Sequence, residues 1–122
     1  MAMRKFILAG AVAALLPGGE AYAQTAAYTW TGIGTNVAGS SKCSAYKMTI
    51  DITVAGKAVK GIFHQQGRDE RRFEATLNDK GLFKTKAQVG GGTMDVSGAI
   101  SDKESKVLLD GYCKFEGKLT KK

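Results

Sequence analysis

Large apolar and polar side chains trade places every second residue through most of this sequence. From Tyr46 the apolar positions are Tyr46, Met48, Ile50, Ile52 and Val54, with Lys47, Thr49, Asp51 and Thr53 between them. Successive side chains of a strand point to opposite faces of a sheet, so the pattern predicts a half-buried strand. Ala55-Gly56-Lys57 reads as a turn. A second strand is predicted near 58–66, with Val59, Gly61 and Phe63 on one face; Ile62 interrupts the polar phase of the other. After a turn at Gly67-Arg68-Asp69-Glu70, the alternation resumes at Phe73, Ala75 and Leu77, and again at Phe83, Thr85, Ala87 and Val89. Gly90-Gly91-Gly92 reverses the chain into Met94, Val96, Gly98 and Ile100. From Val107 the odd-numbered positions stay apolar or small as far as Leu119. Asp110-Gly111 in its middle is compatible with a hairpin, but the unbroken phase favours one long strand bent at the glycine. An earlier strand near 27–34 carries Tyr28 and Trp30, and Asn36 to Lys42 is read as a loop.

This amounts to about seven short strands punctuated by turn residues, the pattern of an all-β domain. Short turns join antiparallel neighbours, so the topology is an antiparallel meander. An open meander exposes two sheet edges, and closure into a small barrel removes them. The inward phase holds Tyr28, Trp30, Tyr46, Phe63, Phe73, Phe83 and Phe115. Small barrels are filled by their own side chains, so core packing is expected, with a ligand cavity as the alternative.

The first 23 residues break the pattern. Arg4 and Lys5 precede an uncharged, mostly apolar run from Phe6 to Leu16. Pro17-Gly18-Gly19 follows, then Ala21-Tyr22-Ala23. A positive start, an apolar middle and an A-x-A site predict a secretory signal peptide over 1–23, leaving one domain over 24–122. No apolar run reaches the roughly 18 residues that a membrane-spanning helix needs. An exported chain meets an oxidising compartment, which favours one disulfide between Cys43 and Cys113 over two free thiols. The expected location is the periplasm or the outside of the cell.

The stretches Tyr28-Thr-Trp-Thr-Gly32, Met48-Thr-Ile-Asp-Ile-Thr-Val54 and Tyr112-Cys-Lys-Phe-Glu-Gly-Lys-Leu119, with one cysteine after the first strand and one in a final basic strand, resemble small exported β-meander proteins of alphaproteobacteria. The resemblance spans most of the residues after the leader. It implies a fold and a compartment and carries no activity with it. Small barrel inhibitors of periplasmic proteases and lysozymes share the general plan, but no segment here matches their inhibitory loops well.

Charge narrows the partners. Of 18 basic residues the leader takes Arg4 and Lys5, and of 11 acidic ones it takes Glu20, so residues 24–122 carry 16 against 10 and a net charge of +6. Such a balance attracts anionic groups, although lysine on exposed strand faces also serves solubility. Nucleic acid is not an expected partner, because the chain is exported and has no aromatic-basic reading motif.

Catalytic signals are sparse. His64, the single histidine, sits in the polar phase near a strand end, and no G-x-S-x-G elbow accompanies it. Asp69, Glu70, Asp79, Asp102 and Glu104 fall in predicted turns, where carboxylates are solvated. One histidine and no ligand cluster argue against a metal site, and Gly90-Gly91-Gly92 opens no helix and lacks a following Lys-Ser/Thr, so no cofactor is expected. The reading is therefore a non-catalytic binding module for a small apolar or anionic ligand. Alternatives are a protein-binding module, such as an inhibitor of an envelope protease or lysozyme, and then an enzyme of undefined class. Contacts are expected from His64, Gln66, Arg68, Arg72, Lys84 and Lys86, and for a protein partner from the Asn36–Lys42 or Gln65–Arg68 loops.

Overall fold

The computed structural model describes residues 25–122; the leader read into residues 1–23 lies outside them. The strands are β1 (Thr25–Ile33), β2 (Thr35–Asn36), β3 (Lys47–Ala55), β4 (Ala58–Gln65), β5 (Arg71–Thr76), β6 (Leu82–Val89), β7 (Gly92–Ala99), β8 (Ser105–Asp110) and β9 (Cys113–Lys121). A 3-10 turn at Cys43–Ala45 lies between β2 and β3. Pairing is antiparallel throughout, in the order β5-β4-β3-β1-β9-β8-β7-β6, with β2 also against β9. The meander thus curls until its first and last strands pair, making a nearly closed barrel. The strand β2 continues β1 against β9 in the same register: Tyr28 faces Lys121, and Thr35 faces Lys114. Counted this way the barrel has eight staves, the first interrupted near Gly34.

The expected count of about seven strands is corrected at Asp110-Gly111, which turns the chain instead of bending one long strand. Val107 pairs with Gly117, Leu109 with Phe115 and Asp110 with Lys114. In this register odd-numbered residues face odd-numbered residues, so the inward phase passes through the reversal unchanged. The Asn36–Lys42 loop is likewise shorter than expected, because Asn36 pairs with Cys113.

The inward phase builds the core. Met48, Ile50, Ile52, Phe63, Phe73, Phe83, Val96, Leu109 and Phe115 are all buried. Inward glycines stand where a ring from the neighbouring strand lies across the backbone. Phe73 covers its partner Gly61, Phe83 covers its partner Gly98, and the Trp30 indole covers Gly117. Alternating large and small residues across strand pairs packs the interior around these rings.

Among the described residues, the ladder has one gap, between β5 and β6, which follow each other in sequence. Their connection is held on both sides by other elements: the Leu77 amide donates to the Lys57 carbonyl, and the Ile100 amide donates to the Gly81 carbonyl. The turn is thereby spread between the β3–β4 turn and the end of β7, and the two strands leave it without pairing. Rings replace hydrogen bonds across this seam. Phe73 and Phe83 stack with centroids 6.2 Å apart, and Phe63 continues the row at 6.3 Å from Phe73.

The disulfide lies at one end of the barrel. Cys43 and Cys113, 70 residues apart in sequence, have Cα atoms 5.5 Å apart and are bonded. The bridge fastens the β1–β3 connection to the start of β9. Within that connection, Asn36 Oδ1 accepts from the Cys43 amide at 3.0 Å, and Ser40 Oγ accepts from the Val37 amide at 3.0 Å.

Candidate functional site: the open mouth of the barrel

The disulfide end also gathers the ends of most strands. The β4–β5, β6–β7 and β8–β9 turns all project there, together with the segment entering β3. Between them the barrel interior opens as a cavity of about 650 Å³, within the range of small-molecule sites. Its floor is apolar: Met48, Phe63, Cys113 and Phe115 are buried, and Met94 is partly buried. Its collar is polar, formed by Gln65, Arg68, Asp69, Arg71 and Thr93, with Tyr46 and Tyr112 at the side.

Local structure aims the collar. Gly67, at φ 85°, supplies the left-handed residue that lets the Arg68 amide close back onto the Gln65 carbonyl at 2.9 Å. Arg68 is thus held above the end of β4. Arg71 opens β5 on the inward side, and a Cβ placed on Gly90 would stand 3.7 Å from its Nη2. Neither Arg68 nor Arg71 has an ion-pair partner among the described residues. With Asp69 as the one carboxylate lining the opening among the described residues, the collar keeps a net positive charge over an apolar floor. Among the described residues no group of three or more metal-ligating side chains occurs. The arrangement suits retention of a molecule with an anionic end and an apolar body.

The six residues singled out in the sequence do not converge. Arg68 reaches the mouth. Gln66 lies in the same turn, exposed, with its amide given to the Lys47 carbonyl at 2.8 Å. His64 faces outward from β4 opposite Thr49. Arg72 also faces outward and pairs with Glu70 at 2.8 Å. Lys84 and Lys86 stand on the outer face of β6, where Lys86 pairs with Asp95. The Lys86 ammonium, hydrogen-bonded to Asp95, holds that carboxyl below its ordinary value, and the charges of Lys86 and Lys84 act in the same direction.

Arg71 and Tyr112 complete the mouth without having been selected from the sequence; Gln65 was expected only as the start of a partner-binding loop, and Tyr46 only among the inward aromatics. Arg71 and Gln65 carried a readable signal. Both fall on the inward phase, in step with Phe73 and Phe63, and a polar group on that phase at a strand end marks the rim of a barrel. Tyr112 lies at the tip of the β8–β9 turn and is 68% exposed; only the position of that turn in space puts it at the opening.

A second, shallower concavity of about 720 Å³ lies on the outside of β6–β9. It is lined by Leu82, Lys84, Ala99, Lys106, Leu108 and Lys118, among others. No family model, curated protein or solved structure matches this chain.

Proposed function

We propose that this protein is a non-catalytic binding module of the periplasm or extracellular space. It takes a small amphiphilic anion into the mouth of its barrel. The observation that carries this reading is the union of two guanidinium groups, without ion-pair partners among the described residues, with an apolar floor in a cavity of about 650 Å³. An arginine near a low-dielectric wall forms charge-assisted hydrogen bonds to carboxylate or phosphate that are stronger than neutral ones. An acyl or aryl body that covers Met48, Phe63 and Phe115 adds the hydrophobic contribution, roughly 25 cal/mol per Å² removed from water. The proposed compartment rests on the leader over 1–23 and agrees with the Cys43–Cys113 bond.

The test is displacement of a dansylated undecanoate by decanoate and by decanol. Decanoate is expected to compete more strongly than decanol, and Arg71→Gln is expected to weaken decanoate by about tenfold while leaving decanol unchanged. Failure of the probe to enter, or equal competition by acid and alcohol, overturns the reading. Native mass spectrometry of protein released from the periplasm gives a second readout, with a retained mass expected.

A further inference from the structure

On the outer face of β6–β9 the side chains form rows across the strands. One row runs Lys86, Asp95, Asp110, Lys114, and its charges balance. The next runs Lys84, Ser97, Leu108, Glu116. The third runs Leu82, Ala99, Lys106, Lys118, and it does not balance. Lys106 and Lys118 stand directly opposite each other on neighbouring strands, an arrangement that destabilises a sheet. Neither they nor Lys84 form an ion pair among the described residues, although Lys84 contributes to the field at Asp95. Among the described residues, Glu116 is the single carboxylate lining the concavity, against three lysines, for a net charge of +2. Between the lysines the outward phase turns apolar: Leu82 is 45% exposed, and Leu108 and Ala99 are half-buried. Leucine and facing lysines on a solvated sheet are both costly for the isolated barrel, and both fall in one groove.

We propose that this groove docks an acidic, extended segment of a partner protein, with one apolar side chain seated on Leu82 and Leu108 and carboxylates against Lys84, Lys106 and Lys118. The spacing selects the occupant. Lys84 on β6 and Lys118 on β9 are three strand spacings apart, about 14 Å, too far for one small anion to meet both. Five residues of extended chain reach about 17 Å. The patch is concave, and a flat lipid surface meets a concave patch poorly. This surface is separate from the mouth and does not depend on the mouth's ligand.

The test uses the chain purified from the periplasm and a fluorescein-labelled peptide, Asp-Glu-Leu-Asp-Leu-Glu, followed by anisotropy. Saturable binding is expected, weakened about tenfold by Lys106→Glu and again by raised salt. Leu82→Asp is expected to weaken it as well. Lys60→Glu, the same charge change on the opposite wall, is expected to leave it intact. Lys106→Glu is also expected to raise the melting temperature, because it converts the facing lysines into an opposite-charge pair, so its lost binding is not a folding defect. Any of three results overturns the proposal: no saturable binding up to about 1 mM, equal losses in Lys60→Glu and Lys106→Glu, or capture by phosphatidylglycerol vesicles in place of the peptide.

Discussion

At Gly98 a missing methyl group decides how two strands pack. A Cβ there would stand 2.5 Å from the Lys106 carbonyl oxygen and 2.6 Å from two carbons of the Phe83 ring. The carbonyl belongs to the β7–β8 ladder and the ring to the row that bridges the seam, so neither yields freely. Overpacking of this kind costs about 1–3 kcal/mol. Gly98→Ala is therefore expected to lower the urea midpoint of unfolding by a corresponding amount, and an unchanged midpoint would show that the ring moves aside at no cost. Gly61 and Gly117 face Phe73 and Trp30 in the same way. Residues that look like weak points in strands are the sockets that admit the largest side chains.

Among the elements, hairpins differ in whether the sequence announces them. Val54 faces Val59 across the β3–β4 turn, so the inward phase changes from even to odd numbers there. The phase switches again from odd to even between β6 and β7 and back to odd between β7 and β8. Across β8–β9 odd faces odd, and the reversal leaves no mark in the alternation. The β4–β5 hairpin is equally silent in phase, since Gly61 faces Phe73, but Gly67-Arg68-Asp69-Glu70 betrays it. The β5–β6 gap is a further property of elements, because local opening is easiest where ladder hydrogen bonds are missing. Hydrogen exchange measured residue by residue is expected to be fastest, within the sheet, for β5 and β6 amides that face the seam, and slow in β1, β3 and β8. Protection in β5 and β6 equal to that of β3 would mean that the seam is paired in solution.

For the whole molecule, the disulfide and the β1–β9 pairing close the same ring at different heights. Near one end Tyr28 and Thr29 pair with Lys121 and Thr120; at the other, β2 and the Cys43–Cys113 bond hold β9. A cross-link spanning 70 residues restricts the unfolded chain strongly; removing it is expected to cost roughly 4 kcal/mol on loop-closure grounds. Cys43→Ala/Cys113→Ala is expected to melt well below the parent, and the proposed ligand uptake at the mouth is expected to weaken with it, because the bridge fixes the connection beside the opening. Equal melting temperatures would show that β1–β9 pairing alone is enough to close the barrel.

Alternation by itself determined the all-β class, the inward set of aromatics and the antiparallel meander, because burying one face of a sheet imposes a period of two on the residues that line it. The cysteine pair and the leader expected over 1–23 favour a disulfide on sequence grounds alone, and Cys43 and Cys113 are bonded. The convergence of Arg68 and Arg71 over Met48 and Phe115, the facing of Lys106 and Lys118, and the seam between β5 and β6 were decided only in three dimensions. Each depends on register and closure, which bring together residues tens of positions apart, and no local pattern along the chain encodes those distances.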